Sequence, residues 1–146
     1  MVIHHRDEPF TWEGVPILPY KETGTHFRAI TRHTLFTGDE ELPVEFRYFE
    51  IEPGGHSTLE RHEHAHAVMV IRGCGHVLVG SSVSAIGLFD LVHVPSMTWH
   101  QFRAGSGEPL GFLCVVSALR DRPQRPTDDD LASLRSVASV AEFIQV

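Results

Sequence analysis

The stretch Val44-Glu45-Phe46-Arg47-Tyr48-Phe49-Glu50-Ile51 alternates apolar and charged side chains, with one slip in register before its last residue. Successive side chains of a β-strand point to opposite faces of the sheet, so this period of two predicts a strand. Pro53-Gly54-Gly55 follows, and this cluster of turn-forming residues predicts that the strand ends there.

Short apolar or alternating runs continue the pattern from residue 25 to residue 118, separated by Gly, Pro, Ser and Asp. Evenly spaced short strands are typical of an all-β sandwich or barrel. Continuous apolar runs such as Phe112–Val116 favour strands that are covered on both faces, so we predict a closed jelly-roll barrel built on a double-stranded β-helix. The other predicted strands are 27–35, 65–71, 76–79, 91–94, 98–103 and 110–117.

The two ends of the chain differ from this central region. Residues 1–24 contain three prolines and predict an extended N-terminal arm, packed on the barrel or on a second subunit. Residues 119–146 predict a linker and one short C-terminal α-helix. Thr127 is the expected N-cap of that helix, Asp128–Asp130 occupy its first turn, and helical spacing of apolar residues predicts a length of about ten to fourteen residues.

Composition narrows the class of protein. The chain has 146 residues, a length that suits one domain, and a formal net charge of −7. This acidic balance argues against nucleic acid and anionic membranes as partners, and no stretch approaches the roughly 20 apolar residues of a spanning helix. Without a signal-peptide core near Met1, we expect a cytoplasmic protein whose two cysteines, Cys74 and Cys114, are free thiols.

Three of the eleven histidines, His62, His64 and His66, alternate with other residues just before an apolar run. On a strand the three rings would share one face, either as an exposed row, as a polar network, or as ligands of one divalent metal. The Cα atoms of His62 and His66 would lie ~13 Å apart on a straight strand. A shared metal therefore requires a bend or bulge in the backbone near His62.

These residues resemble the first motif of the cupin family, which runs here from Gly55 through His62, His64 and His66 to Gly73. Residues 89–100 resemble the second motif, and the resemblance covers roughly residues 44–118. It implies a small single-domain cupin that holds a divalent transition metal, either Fe, Mn, Ni or Zn. The implied ligands are His62, His64, His66 and His100, with His66 in the position usually held by glutamate.

The sequence departs from the cupin pattern at three points. Only one residue separates His64 from His66, where the family usually has three or four. Phe89 and Met97 occupy positions that are glycine in the second motif, and Ala104 replaces its closing asparagine.

Four other polar residues are weaker candidates for a role at the site. His56 is an alternative ligand or a hydrogen-bond donor to one, although a loop residue is the simpler interpretation. Glu60 and Glu63 are candidates for orienting ligand rings through their free N–H groups, with exposed charge as the alternative for Glu63. His93 lies in an apolar strand and predicts a packed core histidine.

Cupins include dioxygenases, isomerases, epimerases, storage proteins and sensors, so the fold does not select a function. Four imidazoles leave open positions on a metal, which favours a dioxygenase-type oxidoreductase acting on a small anionic or enolisable molecule. The alternatives are a metal-dependent isomerase or lyase and a non-enzymatic small-molecule binding protein. Because small cupins usually pair through their sheets, the resemblance also implies a homodimer.

Overall fold

The computed structural model describes residues 1–146 and confirms the all-β fold, a curled sheet in which every pair of strands is antiparallel. Most predicted strands lie within two residues of their expected positions, whereas no strand is predicted where β6 lies. The strands are β1 Leu18–Pro19, β2 Arg28–Phe36, β3 Val44–His56, β4 His66–Arg72, β5 Gly75–Val79, β6 Ser82–Ile86, β7 Leu91–Val94, β8 His100–Ala104 and β9 Leu110–Ser117. Two helices follow, α1 Asp128–Arg135 and α2 Ala138–Phe143.

Strand β3 joins the two halves of the barrel. From Val44 to Ile51 it lies between β2 and β9, and at His56 it pairs with β8. The neighbours run β6-β5-β8-β3-β9-β4-β7. The prediction that residues 53–55 end this strand is wrong, because a shift in register opposite β2 absorbs the extra residues and Gly54 adopts a φ of 76°.

Both faces of the sheet are covered around β3. On the inner face, fourteen buried residues form the core of the barrel, and each large one contributes roughly 1.5–3 kcal/mol by leaving water. On the outer face, the N-terminal arm packs against its own barrel. The Phe10 ring stacks on Tyr48 with ring centroids 5.6 Å apart, and Trp12 meets the same ring edge-on.

The C-terminal segment forms two helices, so the prediction of a single helix is wrong. The predicted cap is present, since the Thr127 side chain accepts from the backbone N–H of Asp130. The first helix ends at Arg135 with Ser136 as its cap, and Val137 is extended, which redirects the chain so that Val140 and Phe143 become buried. Neither helix has the length and apolar character needed to cross a membrane.

The side chain of Gln101 fixes the C-terminal segment to the barrel. It is fully buried, and its amide donates to the carbonyl oxygens of Ser57 and Gln145 at 2.9 and 2.8 Å. Its oxygen accepts from the N–H of Gln145 at 2.9 Å.

We expect Gln101→Leu to lower the free energy of unfolding by about 3 kcal/mol, because it removes three buried or partly buried hydrogen bonds, each worth about 1 kcal/mol. Urea unfolding measures the change. Gln124→Leu is the matched control, since this exposed side chain makes one long hydrogen bond, and its loss should cost less than about 0.5 kcal/mol. Equal effects of the two substitutions would show that Gln101 does not anchor the segment.

Candidate metal centre

A bend in the backbone brings three histidines together. His66 and His100 are the first residues of β4 and β8, whereas His62 lies in the segment before β4, which bends at residues 63 and 64. One ring nitrogen of each lies within 4.8 Å of the others. The bend removes the distance problem that a straight strand would create.

Each of these three rings is held through its Nδ1 atom. The Nδ1–H groups of His62 and His100 donate to backbone carbonyl oxygens at 2.6 and 2.9 Å. Nδ1 of His66 lies 3.4 Å from Sγ of Cys114, and its Nε2 is buried without a partner. Since engagement of Nδ1 leaves Nε2 as the free donor, the three rings fit a divalent metal.

The ring of His64 lies beside this cluster. It stacks on His62, with ring centroids 3.6 Å apart and planes 4° from parallel, and its Nδ1 donates to Oδ1 of Asp121 at 2.6 Å. Hydrogen bonds from the backbone N–H of Glu63 and from the His64 ring hold the pKa of Asp121 well below its usual range. The sequence gives no sign of Asp121, which lies 57 residues from His64.

Burial keeps the cluster neutral. Loss of water around the rings lowers the pKa of His66 to about 2 and that of His100 to about 4. The other imidazoles of the cluster oppose a further positive charge and act in the same direction. The rings are therefore uncharged near neutral pH, which is the form that binds metals.

We expect the metal-free protein to lose stability as the pH falls below about 6.5. A histidine ring that stays neutral in the folded state but is protonated in the unfolded state makes the unfolded state bind more protons. The free energy of unfolding therefore decreases as the pH decreases. For His100, with a folded pKa of about 4, the loss by pH 5 is on the order of 2 kcal/mol. Urea unfolding in EDTA, compared between neutral pH and pH 5, measures this loss. His100→Gln should make the profile less steep, while His66 keeps part of the slope, and a flat profile in the unsubstituted protein would contradict the prediction.

The histidines line a cavity of about 220 Å³ inside the barrel mouth. Four cationic side chains also line it, against the single carboxylate of Glu60. These cations are Lys21, Arg32, Arg47 and Arg120. Such a concentration of positive charge, in a chain of net charge −7, favours an anionic ligand.

The structure places the four weaker candidates of the sequence analysis in different surroundings. Glu60 is buried in the cavity and pairs with Lys21 at 2.6 Å, whereas Glu63 is exposed. His56 lies outside the cavity lining, with its Nδ1 3.0 Å from a neighbouring carbonyl oxygen. The prediction of a packed core histidine at His93 is wrong, because β7 is an edge strand and this ring points to solvent.

The cavity also contains residues that the sequence analysis did not identify as part of a site. Arg32, Arg47 and Cys114 lie on β2, β3 and β9, and all three side chains line the cavity. Cys114 is buried within a wholly apolar run, and its Sγ lies 3.4 Å from both the His66 ring and Nη2 of Arg47.

Comparison with known proteins identifies the family. A model of the cupin domain matches residues 47–116. The 1-methylthio-D-xylulose 5-phosphate methylsulfurylase of Rhodospirillum rubrum is 56% identical over 136 residues, which cover 92% of this chain and 86% of that enzyme. The chain belongs to the cupin family.

Solved structures agree with this assignment. A cupin 2 conserved barrel domain protein from Rhodopseudomonas palustris shares 52% identity with this cupin, covers 100% of both chains and superposes with a TM-score of 0.93. A cupin-2 domain protein from Rhodospirillum rubrum shares 55% identity over 92% of this chain and 90% of its own, with a TM-score of 0.86.

The backbone explains the glycines of the cupin motifs. Gly73 has a φ of 64°, and a Cβ there would clash with the carbonyl oxygen of Pro109. Phe89 and Met97, which replace motif glycines, also have positive φ values of 69° and 54°. These two residues therefore hold a conformation that costs a non-glycine residue roughly 1 kcal/mol or more.

We expect Met97→Gly to raise the free energy of unfolding by about 0.5–1 kcal/mol, since relief of strain exceeds the added freedom of the unfolded chain. Ser96→Gly is the control, because Ser96 is exposed and its φ is not positive, so that glycine there should destabilise the protein. Thermal unfolding compares the two. A loss of stability in both variants would contradict the strain at Met97.

Proposed function

We propose that this cupin is a metal-dependent enzyme that cleaves the bond to the methylthio sulfur of a ketose phosphate. One observation supports the proposal above others: a cavity with three convergent imidazoles and four cations lies in a chain that is 56% identical to an enzyme named for such a substrate. The imidazoles suit a metal and the cations suit a phosphate ester.

The proposed metal ligands are His62, His64, His66 and His100. Three of these rings already converge, and His64 lies stacked beside them with Nδ1 held by Asp121 and Nε2 free. When bound, a divalent transition metal, either Fe, Mn, Ni or Zn, would supply a Lewis acid for a ketone oxygen. In a 1-methylthio ketose the carbon–sulfur bond lies next to that ketone. As the methylthio sulfur forms a new bond to the sulfur of a low-molecular-weight thiol, the electron pair of the carbon–sulfur bond passes to C1 and the ketone oxygen. C1 then takes up a proton, and the products are a disulfide and the 1-deoxy ketose phosphate.

We assign proton transfer to Glu60. It is the only carboxylate that lines the cavity, its residue is 8% exposed, and its Oε2 pairs with Nζ of Lys21 at 2.6 Å. A sugar carbon that loses or gains a proton during the reaction needs such a group within reach.

Dioxygenase activity stays a prediction that the same metal ligands support. Open positions on an imidazole-bound metal also suit dioxygen. Two observations favour cleavage of a methylthio ketose phosphate instead. The cavity is lined by four cations, and the relative from Rhodospirillum rubrum is named for such a substrate. Oxygen consumption with phenols and diketones, measured on the Fe(II)-loaded protein, tests the dioxygenase hypothesis directly.

Proton NMR of the methylthio singlet tests the proposed function. The metal-loaded protein, with 1-methylthio-D-xylulose 5-phosphate and a low-molecular-weight thiol, should convert that signal to a new one. The same sugar phosphate without the methylthio group is the matched control and should stay unchanged. An unaltered singlet with each of the four metals would overturn the proposal, and binding without turnover would favour a non-enzymatic binding protein.

We also propose a homodimer that pairs through the face around β7. This strand ends the sheet, and Met69, Phe89 and Leu91 near it are 41, 76 and 66% exposed. Light scattering should give twice the chain mass of 16.4 kDa. Leu91→Lys should give the monomer mass, and a monomer before substitution would contradict the proposal.

A cytoplasmic location is part of the same proposal. Cys74 is exposed, Cys114 is buried, and neither forms a disulfide. Free thiols are the usual state in a reducing compartment. Fractionation of cells that produce the tagged full chain would test the location.

A further inference from the structure

Two arginines point into the barrel from neighbouring strands. Arg32 of β2 lies opposite Phe49 of β3, and Arg47 lies two residues before Phe49 on the same face. Both arginines line the cavity together with Phe49. The two guanidinium groups thus enter the cavity from one wall, on the inner side of the large sheet.

Neither guanidinium is fully paired within the chain. Nε of Arg32 is buried without a hydrogen-bond partner, and the side chain has no ion pair. Nε of Arg47 is likewise buried without a hydrogen bond, since its nearest carboxylate oxygen, on Glu45, lies 3.8 Å away. Both side chains are partly buried, and their unused N–H donors can be taken up by the oxygens of a bound anion.

The other two cations of the cavity are already paired. Lys21 contacts Glu60 at 2.6 Å, and Arg120 contacts Glu45 at 2.8 Å. Oε2 of Glu45, the carboxylate oxygen nearest to Arg47, is thus already engaged by Arg120. Of the four cations, Arg32 and Arg47 are the two left available to an anion.

This pair lies close to the metal centre. Nη2 of Arg47 is 3.4 Å from Sγ of Cys114, which in turn is 3.4 Å from Nδ1 of His66. One small molecule can therefore reach the arginines with one end and the imidazoles with the other.

We propose that Arg32 and Arg47 form the subsite for the phosphate group of a short phosphate monoester. A guanidinium offers two parallel N–H donors that match two oxygens of a phosphate, and two such groups neutralise a dianion. The identity of the ester rests on the proposed function, whereas the anion subsite is a property of the two arginines. With the phosphate at this wall, the opposite end of the substrate lies at the histidines.

Inorganic phosphate is the probe for the subsite. Isothermal titration of the full chain, both metal-loaded and treated with EDTA, should show binding in either state. Arg32→Gln and Arg47→Gln should each weaken phosphate binding about 10- to 100-fold, the size expected for a charge-assisted contact. Arg135→Gln, which removes an exposed charge on α1, should leave the affinity unchanged.

Controls separate the subsite from folding and from the reaction. Thermal unfolding and metal content should match the parent in both glutamine variants. Arg47→Lys keeps the charge but not the paired N–H donors, and it replaces Arg47→Gln in the titration if that variant fails to fold. Binding that is absent in the parent, or unchanged in both glutamine variants, or dependent on metal alone, would overturn the subsite. With the subsite intact, failure to consume the methylthio ketose phosphate would overturn only the proposed function. Turnover with an unchanged KM in both variants would overturn only the subsite.

Discussion

Replacing His100 with alanine should leave the protein unable to retain metal. The ring is 4% exposed, and its Nδ1–H is fixed on a backbone carbonyl oxygen, so its Nε2 is left free to bind the metal. We expect metal content after dialysis to fall more than about tenfold, because the neutral, preformed donor set loses one member. The increase in melting temperature that metal gives the parent should also disappear, since that increase comes from binding to the native state.

His66→Ala should have the same effect, and His93→Ala is the matched control. His93 is exposed on β7, so its variant should keep both metal and stability. His64→Ala distinguishes four ligands from three: a loss like that of His100→Ala supports the proposed set of four. Full metal at the parent's affinity in His66→Ala would contradict the centre described above.

Replacing Glu60 with glutamine should lower kcat on the methylthio ketose phosphate about 100- to 10,000-fold, the usual contribution of a positioned acid or base. Glutamine keeps the shape of the side chain but cannot exchange a proton. Because the carboxylate is not among the converging donors of the centre, metal content should stay at the parent's value.

The ion pair needs its own control. Lys21→Met removes the partner of Glu60 and leaves the carboxylate in place, so this variant should keep more activity than Glu60→Gln. The pH profile of kcat separates a proton-transfer role from a structural one, since loss of a proton-transfer group should change the shape of that profile and loss of a structural contact should only lower it. Parental kcat in Glu60→Gln would contradict the assigned role.

The barrel could be predicted from the sequence because its strands are short, apolar and separated by turn residues. Leu91–Val94 and Leu110–Ser117 match the predicted strands to the residue. Strand β6, at Ser82–Ile86, was missed because serine and alanine are poor strand formers, and its pairing with β5 decides its conformation. The interruption between the two helices at Ser136 and Val137 could not be predicted for a related reason. Burial of α2 against the barrel determines its position, and local helix preference does not.

The candidate centre was predictable only in part. The alternating histidines predicted a cluster, and the distance between His62 and His66 on a straight strand predicted the bend that brings them together. The arginines of the cavity could not be predicted from the sequence. The charged residues of β3 resemble a solvent-exposed face, because the sequence does not show that the N-terminal arm covers Tyr48 on the opposite face. Asp121 and Cys114 depend on contacts between distant parts of the chain, and a local pattern does not contain such contacts.

An anomalous-difference map, recorded at the absorption edge of the metal found in freshly purified protein, tests the central claim most directly. We predict one strong peak in the cavity, about 2.0–2.3 Å from a ring nitrogen of each of His62, His66 and His100. Such a peak would place the metal where the three imidazoles converge. A cavity without a peak in metal-replete crystals, or a peak held only by surface histidines, would contradict the account.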